Sequence, residues 1–508
     1  MIREAPVAKC FATCWARSET RQIRSIALLA VLLLLAGGCG GPDPFARWSD
    51  PELANAARGV SAGEAVNEAV RGGFDVKRVS EESASAVADV PARAGEAWFV
   101  SRALAGSWAV RAAVAEVERR RSEIAIARGL SDPTASVTVG ELAETAAGRV
   151  DAIFAVQQAF PFPGTLKARG RVAEAAVETA RRELAERIAR VRGDARRAYW
   201  SYHEAAAAIA ILERSDSLLG QIESAVRSRV EVGKAGQDDL LRVSRRRLRV
   251  SNDVERSRQR RASAAAQLRE LMDLDAEAAL PEPMTAHWNP PALDRASLER
   301  RARRDSPRVL VARGEVQRQR QRLELARIER RPDFRVGASY APVGDDGLAS
   351  SANGEDQIAG TLGVTIPLWK GKYDAAEREA GLGIGRAVAE VRAAEQTAVA
   401  KAMDALARLE AKQTVLDRLR ERLLPEGQQT IDIAMAGYRT GRVDVLQLLE
   451  DWRALLDDRL AEARVLADLH RARADLAEVL GGPINPVTRG VGNANGPIGR
   501  GRAADGRG

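Results

Sequence analysis

Cysteine and histidine are nearly absent from this chain, and their scarcity excludes several kinds of chemistry. Cys10, Cys14 and Cys39 are the only cysteines. The first two lie in an amino-terminal segment that reads as removed, so the mature chain can form no internal disulfide and no cysteine-based metal site. His203, His287 and His470 are scattered, with no second ligand at metal spacing, and read as packed or solvated side chains. No glycine-rich phosphate loop leads from a strand into a helix. Gly381-Leu-Gly-Ile-Gly385 follows a helix start instead, so its glycines are expected to ease helix crowding. The many Asp and Glu stand at helical spacing beside Arg, as surface pairs worth a few tenths of a kcal/mol each. An enzyme is not expected, nor a cofactor.

A basic block is also lacking, although the net charge of +8 and pI near 9.7 invite a nucleic-acid reading. Residues 1–38 carry +3 and the tail from Pro483 another +3, which leaves +2 on the body. Those remaining charges are interspersed along helical faces, as on a solvated surface. No nucleic-acid partner is expected.

Long apolar runs are missing too. Ile26 to Leu35 is too short to span a bilayer. Preceded by Arg17, Arg21 and Arg24 and followed by Ala36-Gly37-Gly38-Cys39, it has the order of a secretory signal. The last four residues resemble a bacterial lipobox, with Ala36 where Leu is usual. Cys39 is therefore read as a lipid (palmitate-type) anchor and first mature residue; ordinary cleavage nearby would leave it a free thiol.

What the chain does contain is a duplication. Ser107-Trp-Ala-Val-Arg-Ala-Ala-Val-Ala-Glu-Val-Glu-Arg-Arg-Arg realigns with Ser306-Pro-Arg-Val-Leu-Val-Ala-Arg-Gly-Glu-Val-Gln-Arg-Gln-Arg. Further on, Pro133 matches Pro332, Pro161 matches Pro367, and Gly233 matches Gly441. Each copy spans roughly two hundred residues and reads as helix, strand pair, long helix, turn, helix. The expected segments are a signal over 1–38, a linker over 39–96, repeats over 97–290 and 291–482, and a disordered tail over 483–508.

In the first copy Leu184, Ile188, Val191, Ala195, Ala198, Tyr202, Ala205, Ile209 and Leu212 step by four and three, the seam of a coiled coil. The spacing predicts a proline-free helix from Leu166 to Val230, roughly 95 to 100 Å long at 1.5 Å per residue. The second copy predicts one from Asp374 to Tyr438. Leu406, Leu409, Leu416, Leu419 and Leu423 share its stripe, and Pro425 is expected to kink it. Helices of this length must pair along their flanks with the helices that come after Gly233 and Gly441.

Between the helices the period falls to two. Ile358, Gly360, Leu362, Val364 and Ile366 alternate with small or polar residues, as do Phe334, Val336, Ala338 and Tyr340. Ala135–Val139 and Val150–Val156 are weaker equivalents. Four such strands are too few to close a membrane barrel, and an open edge in lipid would leave backbone groups unpaired. Several chains are therefore expected to share one. Glu141–Gly148 and Pro342–Asp356 read as exposed loops.

These features resemble the TolC-like outer-membrane efflux proteins. The resemblance spans roughly residues 97 to 482. It rests on the duplicated modules, the Phe160-Pro-Phe-Pro-Gly164 and Ile366-Pro-Leu-Trp-Lys-Gly371 turns, and Tyr438-Arg-Thr-Gly441-Arg-Val-Asp444-Val-Leu446. In the first copy Val230 replaces the tyrosine, while Gly233 and Leu240 are kept. The resemblance implies a mainly α protein with a β-barrel contribution. Three chains would complete a twelve-stranded barrel in the outer membrane, continued by a helical tunnel across the periplasm. It implies a duct that carries substrate without catalysis, joined at its tips to a periplasmic adaptor and an inner-membrane pump. Gly233, Tyr438 and Gly441 then mark the docking tips. Asp444 matches a pore-facing acidic ring, whose second aspartate is Gln447 here, and Asp239 and Arg442 fall near gate salt bridges. A periplasmic adaptor and a non-conducting envelope scaffold are the rival readings. An adaptor should carry one hairpin rather than two, and a scaffold should lack the strands.

Overall fold

The computed structural model describes residues 90–145, 147–291, 293–345, 347 and 354–484. The expected signal segment, Cys39 with most of the expected linker, and nearly all of the expected tail lie outside these residues. In chain order the elements are β1 (Arg93–Ala94), α1 (Glu96–Gly106), α2 (Trp108–Arg128), β2 (Thr134–Thr145), β3 (Gly148–Phe160), α3 (Thr165–Glu231), α4 (Gln237–Met272) and β4 (Glu282–Pro283). The second half brings α5 (Arg295–Asp305), α6 (Pro307–Ile328), β5 (Asp333–Ala341), β6 (Gln357–Thr365) and α7 (Lys370–Arg418). A π-helical turn (Leu419–Leu423), α8 (Leu424–Thr440) and α9 (Val445–Val479) complete it. The fold is mostly helical, and the halves repeat one element order.

Two short helices, α1 and α5, precede the expected first helix of each half and are not legible in the periodicity. Ser107 separates α1 from α2, and Ser306 separates α5 from α6. Both serines take extended ψ values, 112° and 127°, which break the helical ladder. Ser107 Oγ then accepts from Val110 N at 3.4 Å, capping α2, while Pro307 opens α6, where its missing N–H leaves no bond unmade.

Helix α3 runs unbroken for 67 residues, about 100 Å. Its predicted seam is the buried one: Leu184, Val191, Ala195, Ala198, Tyr202, Ala205 and Leu212 are buried, with Ile188 and Ile209 half-buried. Helices α2 and α6 flank its beginning, and α4 and α9 its later part. The leucines in this seam each contribute about 1.5 to 3 kcal/mol by leaving water.

In the second copy the irregularity falls ahead of Pro425, in the π turn. Leu424 N donates to the Leu419 carbonyl five residues back, which inserts one residue into the stripe. Leu406, Leu409, Leu416 and Leu419 are buried, but the added residue rotates Leu423 outward to 45% exposure. The break separates two cores, one ending at Leu419 and the other resuming at Ile431 beside Leu212, Leu219 and Ile222. Of the three clustered glycines only Gly383 meets a neighbour, Gln319; Gly381 and Gly385 face open space, contrary to the crowding expected of them.

Four strands form an antiparallel sheet in the order β2-β3-β5-β6, with β2 and β6 at its edges, while β1 and β4 pair in parallel apart from it. Register sets Val137, Phe154, Tyr340 and Ile358 in one row, with Phe160, Phe334 and Val364 in another. One face is thus apolar. The other carries Ser136, Gln157, Ser339 and Thr361. The expected 141–148 loop is mostly strand, because pairing resumes at Ala143 and Val150 after a register shift beyond Val139. Among the described residues of the expected 342–356 loop, Val343 is buried and forms an isolated bridge with Val150.

Where the halves meet, His203 of α3 and His470 of α9 converge on Trp200. The His470 ring of α9 stacks on Trp200 of α3 at 3.6 Å and 9°, and meets the Trp288 edge at 5.1 Å. His203 lies 5.0 Å from the same Trp200 ring. Trp200 Nε1 donates to Glu96 at 2.9 Å, and Trp288 Nε1 donates to Gln413. Burial, with Arg473 and His203 nearby, pushes the His470 imidazole down to about 3. Burial likewise lowers His203.

Candidate functional site: the helical tips

Each long helix ends in a turn whose glycine is left-handed, Gly233 at φ +70° and Gly441 at φ +78°. A side chain at either position would be strained, which is why both halves keep glycine here. Gly441 N donates to the Tyr438 carbonyl at 3.1 Å and Arg442 N to the Gly437 carbonyl at 2.8 Å, closing α8. In the first tip Gly233 N and Lys234 N bond Val230 and Arg229 in the same way, at 3.0 and 2.7 Å.

Asp444 opens α9. Its carboxylate accepts from Gln447 N at 2.7 Å, so this side chain is a helix cap whatever else it does. Asp239 stands with Asp238 in the first turn of α4, where a helix start favours negative charge. Arg242 takes Asp238 at 3.4 Å. Among the described residues Arg442 is exposed and pairs with neither Asp239 nor Asp444.

A residue that sequence reasoning missed ties the tips together. Arg229, in the last turn of α3, lays its guanidinium over the Tyr438 ring at 4.9 Å and donates to the Tyr438 carbonyl. It also reaches the Lys234 carbonyl at 3.3 Å. Its only sequence signal is a cation in the last turn of a helix. Tyr438 is buried, and that burial raises its phenol. The tips enclose a cleft of about 500 Å³ whose lining includes Arg229, Tyr438, Gly441, Arg442, Asp444 and Asp239. Five of the six predicted tip residues thus converge on one cleft. Gly233 turns the chain beside it. The site holds charges and a turn, with no cluster of metal-ligating side chains among the described residues.

The sequence profile of the outer membrane efflux proteins matches residues 99–273 and 298–482. The chain belongs to that family. Solved structures share the fold of this efflux protein at low identity. A membrane protein from Pseudomonas aeruginosa is 19% identical with a TM-score of 0.64, over 76% of this chain and 90% of that one. The outer membrane protein VceC from Vibrio cholerae is 18% identical with a TM-score of 0.62, over 77% and 97%. The open state of the Neisseria gonorrhoeae MtrE outer membrane channel is 18% identical with a TM-score of 0.62, over 76% and 89%. No curated protein matches the chain. The TolC-like resemblance read from the sequence therefore holds.

Proposed function

We propose that this efflux protein is one protomer of a three-chain outer-membrane duct, serving a periplasmic adaptor and an inner-membrane pump. The observation that carries the reading is the sheet: four strands, one apolar face, and unpaired edges at β2 and β6. Unpaired backbone groups cost several kcal/mol each in lipid, so both edges need partners. Copies of the same chain supply them most simply, and three copies give twelve strands. The paired long helices α3 and α7 to α8, each followed by its antiparallel partner, continue below the sheet as the tunnel wall. Gly233, Tyr438 and Gly441 shape the tips that the adaptor meets. Asp444 and Arg442 set the charge at the closed end, with Asp239 beside them. Cys39, acylated after signal removal, would tether the chain to the same membrane. Cargo passes through without chemistry.

The test is to purify the protein from membranes in detergent and determine particle mass and outline by electron microscopy, followed by conductance in planar bilayers. An elongated three-fold particle over about 100 Å long that conducts is expected. A monomer released without detergent would overturn the shared barrel and return the adaptor or scaffold reading.

A further inference from the structure

Apolar side chains continue past the ends of the strands. After β6, whose apolar face carries Ile358, Leu362 and Val364, come Ile366 and Leu368 in a tight turn, and after β3, with Phe154, Val156 and Phe160 on that face, comes Phe162. Ile366, Leu368 and Trp369 are 68%, 70% and 77% exposed. Immediately beneath them stand Lys167, Arg331, Lys370 and Lys372, all exposed.

These four cations have no carboxylate partner among the described residues. Arg331 lies over the Phe162 ring at 5.9 Å and Lys372 over Tyr373 at 5.6 Å, contacts that hold each head near the apolar rim. The carboxylates close by are already engaged. Glu329 pairs with Arg169, Asp374 with Arg330, and Glu377 with Arg327 and Arg330. Asp333 accepts from Phe162 N. Asp132 and Glu379 are the acids left, fewer than the free cations. The starts of α3 and α7 also lack a side-chain cap, so the positive ends of both helices face this rim. The opposite rim has the reverse balance, with Glu144, Asp151, Asp345, Glu355 and Asp356 against Arg149.

An apolar band edged by Trp, Phe and Tyr, then by unpaired Lys and Arg, matches the layering of acyl chain, interface and phosphate in a lipid leaflet. Resting on the proposed membrane-spanning role, we propose that Lys167, Arg331, Lys370 and Lys372, below Trp369 and Phe162, bind the headgroups of anionic phospholipid in the leaflet where the strands pass into the helices. The acidic far rim disfavours the same lipid on the other side. The protein therefore selects both the lipid and the leaflet.

The full chain is reconstituted into phosphatidylethanolamine vesicles with and without phosphatidylglycerol. Flotation then reports insertion, and mass spectrometry of the detergent-extracted protein reports retained lipid. The ratio of phosphatidylglycerol to phosphatidylethanolamine retained should exceed that of the vesicles by roughly fivefold for each cation engaged. The variant Lys167→Gln/Arg331→Gln/Lys370→Gln/Lys372→Gln should insert yet retain lipid near the bulk ratio. Lys370→Arg/Lys372→Arg should keep the enrichment, and Lys370→Gln/Lys372→Gln, at exposed positions, should lose part of it even where the fourfold variant fails to insert. Wild type that inserts but retains lipid at the bulk ratio overturns the proposal, as does full enrichment in the glutamine variants. Phosphatidylglycerol should also raise the thermal midpoint of the inserted protein. An equal rise from inorganic phosphate added to phosphatidylethanolamine vesicles overturns the lipid assignment in favour of a free-phosphate site. Failure to float with either lipid mixture would instead overturn the membrane-spanning reading itself.

Discussion

Mild acid should loosen the junction between the two halves, and His470 is the group that makes this measurable. Its ring is 7% exposed, stacked on Trp200 and set edge-on to Trp288, and its Nε2 has no hydrogen-bond partner among the described residues. Folding therefore holds the imidazole neutral, lowering it from an ordinary 6.5 to about 3. A depressed folded value contributes stability that is present above pH 6.5 and is lost as pH falls toward 3. Between pH 7 and pH 5 the unfolded chain takes up most of one proton at this site while the folded chain takes up almost none. The linkage gives a loss of about 2 kcal/mol over that interval. His203 is lowered in the same direction and adds to it. The assay is the urea midpoint, followed by tryptophan fluorescence at fixed protein concentration in one detergent, for wild type and His470→Phe. The variant keeps a flat ring against Trp200 but cannot titrate, so its stability should fall less between pH 7 and pH 5, by about 2 kcal/mol. Equal losses in the two proteins would refute the argument, because every other titrating group is common to both.

Three further outcomes rest on packing and charge. Gly106→Ala would set a methyl 2.2 Å from the Met272 carbonyl oxygen, a backbone atom that cannot yield cheaply. The thermal midpoint should fall with a destabilisation of about 1 to 3 kcal/mol, against near-neutrality for Gly220→Ala, which meets nothing within 4 Å. On β6, Leu362→Arg on the apolar face should cost about 2 to 4 kcal/mol in refolding into lipid, while its neighbour Thr361→Arg on the polar face should cost far less; similar costs would mean that the face assignment is wrong. At the tips, neutralising Arg442 by Arg442→Gln should raise single-channel conductance if this cation restrains the closed end, and unchanged conductance would remove it from that role.

Much of the architecture was legible because its signals are periodic. The four-and-three spacing from Leu184 to Leu212 marks the buried seam of α3, and the two-residue alternation from Ile358 to Val364 marks the apolar face of β6. Positive-φ turns leave an equally local trace, so Gly233 and Gly441 could be placed from spacing alone. The helices α1 and α5 escaped notice because eleven residues give little more than three turns of period, and the extended serines that end them look like any other serine. The strand character of residues 141–145 was hidden by the register shift, which moves the alternation out of phase.

The tip shows the same division within one site. The family resemblance marked Tyr438, Gly441, Arg442, Asp444 and Asp239 as tip residues, through turn motifs whose members are neighbours along the chain. Arg229 was invisible, because its partners are the ring and carbonyl of Tyr438, 209 residues away. His470 read as scattered for the same reason: only the packing of α9 against α3 brings it to Trp200, three residues from His203 on α3. The sequence by itself determined the long helices, the strand pairs, their duplication, their buried faces and their turns, all of which depend on residues a few positions apart. Tertiary structure alone decided which side chains of the two halves touch, where the π turn falls ahead of Pro425, and which cations remain unpaired at the rim of the sheet. Contacts between distant segments depend on how whole helices are set against one another, and no local pattern encodes that.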